Sequence, residues 1–182
     1  GAAVVRRVDA QSQIITTVAG GGTDSTSENI PATMAQLTSP GAVACDANET
    51  LYVANRTPQS TVRAFTVGGT IATVAGIPFQ PGFNGDQIPA LQAQLNNPNG
   101  LAVDAAGNLY ISDEGNNRVR RVDVAHFIST IAGTGESGSG PDGVPAPLSK
   151  LSGPRQLSLD GHGNIYVGEE FGNRVRRFRL YP

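Results

Sequence analysis

The chain has 182 residues, 13 basic and 15 acidic, for a formal net charge of −2. Charged residues make up only 15%, aromatics 5%, and there is no Trp, which argues against a basic, base-stacking nucleic-acid surface. One cysteine excludes an internal disulfide framework, and no apolar run is long enough for a membrane-spanning helix.

The first segment, Gly1 to Asp9 (GAAVVRRVD), reads as a strand, and Ile14 to Gly20 (IITTVAG) reads as its partner. Both return later. Val5-Arg6-Arg7-Val8-Asp9 aligns with Val119-Arg120-Arg121-Val122-Asp123, and IITTVAG aligns with Ile71 to Gly76 (IATVAG) and Ile128 to Gly133 (ISTIAG). A longer echo runs through Leu37 to Asn55, Leu95 to Asp113 and Leu151 to Glu169. Short apolar runs broken by Gly, Asn, Asp and Pro, repeated at a fixed period of this size, mark stacked or radially arranged β units.

The middle unit shows the plan. Gly100 to Asp104, Asn108 to Ser112, Arg118 to Val124 and Phe127 to Ala132 are four predicted antiparallel strands, with a tight hairpin at Asp104 to Asn108. The first two are unbroken apolar runs, as suits strands covered on both faces. The third and fourth are more polar, which fits a small sheet standing on edge, its inner strands packed and its outer strands wet. The expected organisation is a half-unit at 1–20 (third and fourth strands only), full units at 37–76 and 95–133, and a unit at 151–180 lacking its fourth strand. Without an initiator Met, a signal peptide or a membrane span, the chain reads as mature, trimmed or cut from something longer.

The run from Leu95 to Val119, L-x-x-P-x-G-L-A-V-D-x-x-G-N-L-Y-I-x-D-x-x-N-x-R-V, resembles the NHL repeat. Gly82 to Leu95 resembles the Gly- and Asp-rich linker of tandem NHL repeats. The likeness covers essentially the whole chain. It implies an all-β fold of four-stranded β-propeller blades, three repeats plus a partial N-terminal blade. It implies little about activity, because NHL propellers include scaffolds, protein-binding surfaces, RNA binders and a few lyases or hydrolases.

Residues repeated in every unit are read as architecture: Asp46, Asp104 and Asp160 as turn caps, Pro40, Pro98 and Pro154 at strand starts, and Asn117 and Asn173 as clips between second and third strands. The arginines clustered in third strands suggest pairing with carboxylates of adjacent blades, or a solvated outer wall. Lone Cys45, aligned with Val103 and Leu159, is expected to be a small buried hydrophobe. Residues that break the repeat are better site candidates. Loops at a propeller's channel mouth nominate Asn99, Asp113, Arg155, Gln156, Glu169 and Glu170, with Arg155 beside Glu169 read as a salt bridge. His126 and His162 lie in different units, which is poor for a metal site, and the lyases of the resembling family use several His ligands. Asp86 and Asp142, with the aligned Glu28, read as loop residues of Gly-rich turns in preference to Ca²⁺ ligands. No cofactor is expected.

Too few blades to shut a ring leave sheet edges to be covered. The expected partners are further copies of the chain, in a completed ring or head-to-tail fibre, or missing blades of a longer chain. Glycans are an additional expectation; nucleic acid and membrane are not. Val4, Val5, Arg6, Arg7 and Val8 at one end, and Val175, Arg176, Arg177 and Phe178 at the other, are the assembly strands. Scarce Lys and two sequons, at Asn48 and Asn55, point to an extracellular setting and glycosylation. The expected function is a non-catalytic structural or interaction module; the alternative is a propeller lyase or hydrolase with its site at the channel mouth.

Overall fold

A computed structural model describes residues 3–179. Residues 1, 2 and 180–182 lie outside the described residues, among them the first two of the expected unit at 1–20 and the last of the unit at 151–180. The chain is all-β, built of antiparallel sheets with short 3-10 turns in the linkers. Strands β1 (Val4–Val8) and β2 (Ile15–Gly20) form a pair. The next sheet holds β4 (Pro40–Cys45), β5 (Leu51–Asn55), β6 (Thr61–Phe65) and β7 (Thr70–Ala75), with a two-residue strand, β3 (Ile30–Pro31), added outside β7. The third repeats that order with β9 (Pro98–Val103), β10 (Leu109–Asp113), β11 (Arg118–Val122) and β12 (Phe127–Ala132), and with β8 (Ile88–Pro89) outside β12. The last sheet has three strands, β13 (Pro154–Leu159), β14 (Asn164–Glu169) and β15 (Arg174–Arg179). These are propeller blades. The short fifth strands come from the linkers and were not anticipated, because a two-residue Ile-Pro piece carries no periodicity.

Turn chemistry fixes each hairpin. Asp104 accepts bonds from the N–H groups of Ala106 and Asn108, from the Asn108 side chain and from the Tyr110 hydroxyl. Partial burial opposes ionisation of Asp104, but those donors outweigh it and hold the carboxyl below its ordinary value. Asp46 and Asp160 take the same turn amides in their own units.

The cores lie in the seams between sheets rather than within any one of them. One seam joins Val53, Phe65 and Ile71 to Val5, Val18 and Ala19; another joins Ala54, Val62 and Ala75 to Leu101, Ile111 and Ile128; a third joins Val119 and Ala132 to Val167. Into them the linkers send Leu37, Leu95 and Leu151, all nearly inaccessible. Burying a leucine this completely contributes about 1.5–3 kcal/mol. Strand alternation sends consecutive residues to opposite seams, so Val53 and Ala54 serve different cores.

The end sheets show what happens where a neighbour is lacking. On β4, Ala42 and Ala44 pack into a seam, while Gly41, Val43 and Cys45 face outward and are exposed. Cys45 is therefore exposed, not the buried hydrophobe expected, because β1 and β2 cover only the outer part of that face. The third-strand arginines also differ from expectation. Arg63 and Arg120 are almost fully buried rather than forming a solvated wall, and their carboxylate partners come from the linker of the same sheet.

Seam packing is tight enough to be tested. A Cβ on Gly100 would lie 1.8 Å from the carbonyl oxygen of Arg155 in the next sheet, whereas one on Gly168 would meet nothing closer than 3.8 Å. Gly100→Ala should cost about 3 kcal/mol, because a backbone carbonyl cannot rotate away. Gly168→Ala should stay within about 0.5 kcal/mol. Urea denaturation of both variants checks this; equal midpoints would contradict the packing described.

Candidate functional site

Three equivalent side chains end the second strands: Asn55, Asp113 and Glu169. Each reaches back 17 residues to accept a backbone N–H from the turn that leads into the first strand, at Thr38, Asn96 and Ser152 respectively. All three are buried. Asp113 also accepts from Asn116 at 2.7 Å and faces Arg120 Nη1 at 3.6 Å, while Glu169 pairs with Arg174. These groups lock the turn that starts each sheet and present no surface at the channel mouth, which corrects the reading of Asp113 and Glu169 as binding residues. Asn55 is likewise no acceptor for a glycan in this fold, since its side chain is sealed inside. Asn48, on the exposed hairpin turn, is accessible.

One position onward the side chains meet across sheets. Asn99 donates to Glu114 at 2.7 Å; Arg155 donates to the other Glu114 oxygen at 3.2 Å and to Glu170 at 2.6 Å. The expected salt bridge of Arg155 therefore forms, but with Glu170 and Glu114 rather than with Glu169, whose carboxylate points back into the sheet. Two carboxylates hold Arg155 charged, its hydrogen bond to Glu114 contributing most. Gln156 lies exposed beside this chain, over a shallow recess that Arg155, Glu170 and Arg174 also line. The structure thus brings Asn99, Arg155 and Glu170 together with Glu114, which the sequence reading had left unremarked. The network ties the middle sheet to the last one.

Asn117 also works between sheets rather than within one. Its side-chain oxygen accepts from the Gly153 N–H at 3.1 Å, and in the preceding sheet Ser60 Oγ accepts from the Asn97 N–H. Its backbone is left-handed, with φ of 49°, which suits an asparagine.

A second constellation repeats on the outer side. Arg120 donates to the Gly85 carbonyl at 2.8 Å and to Asp86 at 3.1 Å, and the ring of Phe83 lies 4.8 Å from its guanidinium carbon. Arg63 donates to the Ser27 carbonyl at 2.6 Å near Glu28. Arg176 donates to Gly140, Pro141 and Ser149 and pairs with Asp142 at 3.2 Å. In each case the third-strand arginine staples the linker loop onto its own sheet. Glu28 and Asp86 are engaged as acceptors there, as turn residues would be. Among the described residues, no three His, Cys, Asp or Glu side chains gather as a metal-binding group.

The strands expected to carry assembly divide by face. Val5 is buried in a seam, while Arg6, Arg7 and Val8 are exposed. Phe178 packs against the last seam and Arg176 is taken up by its linker, leaving Val175 and Arg177 outward.

Burial drives Asp113 upward, to about 6, against the bonds donated by Asn116 and Asn96 and the charge of Arg120. A carboxyl raised by folding binds its proton more tightly in the folded chain. Its contribution to stability is therefore complete below about pH 4, the ordinary aspartate value, and is lost as pH rises through about 6. Asp113→Asn should therefore gain in stability relative to the parent between those two pH values. Urea midpoints for both proteins across that window measure it; a difference independent of pH would contradict the assignment.

The comparisons with known proteins agree with this architecture. A model of the teneurin NHL domain matches residues 69–144. Human Teneurin-4 is 38% identical over 97 residues, covering 47% of this chain and 4% of that protein. Human NHL repeat-containing protein 3 is 28% identical over 119 residues, covering 65% of this chain and 31% of that protein. The chain thus spans only a minor part of these relatives. A structural genomics protein of unknown function from Bacteroides thetaiotaomicron superposes with a TM-score of 0.78 at 21% identity, over 97% of this chain and 42% of that one. Repeat sequence, sheet order and these matches together support an NHL-repeat assignment for the chain.

Proposed function

We propose that the chain is a non-catalytic structural and interaction module that works outside the cell and joins copies of itself through its incomplete terminal sheets. One observation carries this reading: sheet faces that are sealed everywhere else lie open at both ends. Val43 is 45% exposed on the first face and Val175 is 72% exposed on the last, each at a position type that inner sheets bury. Apolar faces and unpaired strand edges left open favour association.

An extracellular setting is supported by the single Lys among 13 basic residues and by the accessible sequon at Asn48. Among the described residues no helix is long and apolar enough to cross a membrane. The alternative, a lyase or hydrolase with its site at the channel mouth, has less support. The loop carboxylates where it would lie, Glu114 and Glu170, are engaged by Arg155 and Asn99 in a network that ties two sheets together.

Size-exclusion chromatography with light scattering tests the reading. At micromolar concentration the purified chain should elute with a mass of two or more copies, rising with concentration if the contact is head-to-tail. A well-folded particle that keeps the mass of one copy throughout would contradict it.

A further inference from the structure

Asn55, Asp113 and Glu169 hold one position in three sheets, and each spends an oxygen on the turn ahead of its own first strand. The second atom of each group meets something different. In the middle sheet Asp113 Oδ2 faces Arg120 Nη1 at 3.6 Å, and Arg120 meets Asp86 at 3.1 Å on its outer side. A buried guanidinium thus stands between two carboxylates. In the last sheet the second oxygen of Glu169 goes to Arg174.

The first sheet keeps the buried cation and loses the inner carboxylate. Asn55 pairs with Thr61 and Val53 with Arg63, where Asp113 pairs with Arg118 and Ile111 with Arg120. Residues two apart on a strand share a face, so Asn55 lies beside Arg63 as Asp113 lies beside Arg120. Asn55 Oδ1 is taken by the Thr38 N–H at 3.3 Å, which puts Nδ2 in the place of Asp113 Oδ2. A donor therefore faces a donor. Turning the amide over only moves the mismatch to Thr38. Asn55 Nδ2, Arg63 Nη1 and Arg63 Nε are all buried and have no acceptor among the described residues. The carboxylate that does approach Arg63, that of Glu28, stands 3.9 Å away, is 41% exposed and has both oxygens engaged by Thr73.

We propose that the space between Asn55 and Arg63 is a binding site for a small monovalent anion, chloride in ordinary media, which does there what the Asp113 carboxylate does in the middle sheet. Three N–H donors and a desolvated positive charge converge on it. Buried donors and buried cations both demand a partner, and hydrogen bonds that carry a full charge are the strong ones. The place is that of one carboxylate oxygen, which suits chloride or bromide and is too small for sulfate or phosphate. The Ser25 and Ser27 carbonyls, held by Gln59 and Arg63, bring the linker over the site, so an anion there also ties linker to sheet. Asn55 and Arg63 are sealed within the chain itself, which makes the site independent of what covers the terminal faces. The competing occupant is a water molecule, which could also donate to Gln59 Oε1, a buried acceptor with no donor among the described residues.

Two measurements on the full chain form the test. Crystals soaked in bromide should show an anomalous peak within hydrogen-bonding distance of Asn55 Nδ2 and Arg63 Nη1. In urea denaturation at constant ionic strength, exchanging gluconate for chloride from roughly 1 to roughly 150 mM should raise the folding equilibrium constant about tenfold. Asn55→Asp supplies the missing carboxylate from the chain. Measured well above the value of about 6 to which burial lifts Asp113, the variant should lose both the bromide peak and the chloride response. A parent indifferent to chloride, as a water in the site would make it, overturns the proposal. So does a parent crystal with no bromide at Arg63, or a chloride response equal in parent and variant. Should the variant fail to fold, the parent's bromide peak and chloride response decide.

Discussion

The two complete sheets are apolar on both faces, so each of those faces has a neighbouring sheet against it. The requirement follows from strand geometry: consecutive residues point opposite ways, and in β5 both Val53 and Ala54 are fully buried, in different seams. No sheet has a core of its own. Stability therefore resides at contacts between units, as it does in repeat proteins generally. The buried leucines of the linkers, Leu37, Leu95 and Leu151, belong to that scheme, since each fills a seam that neither sheet could close alone.

The polar groups follow the same logic at the seam margins. Asn55, Asp113 and Glu169 differ in chemistry, yet each locks the turn ahead of its own first strand. Arg63, Arg120 and Arg176 then bind the linker down on the outer side. The fourth strand of each complete sheet lies between the third strand and the linker held in this way. In the last sheet Asp142 and the left-handed Gly143 hold the same linker positions as Asp86 and Gln87.

Much of this was legible in the sequence. The period, the four-strand unit and the hairpin turns at Asp46, Asp104 and Asp160 follow from apolar runs and turn residues, and the structure places the middle unit's strands within about two residues of the expected bounds. What could not be read depends on long-range contact. Arginines in a β-strand look solvated when nothing in the local pattern says that a loop lies over them. A signal did exist, because Asp86 and Asp142 each precede their arginine by 34 residues. Asn55 looked like a sequon because the tripeptide gives no hint of burial. Cys45 misled in the opposite direction: its alignment with Val103 suggested a covered face, but cover depends on which sheet stands next to it, and that is not a local property.

Hydrogen exchange at the terminal sheets offers the most direct measurement, because it reads the exposed strands themselves rather than the mass of the particle. If the open faces are what bring copies together, amides of β4 and β15 should gain protection as protein concentration rises, while amides of the sealed strands β10 and β11 stay unchanged. Exchange at β4 and β15 that is equally fast at every concentration would contradict the account.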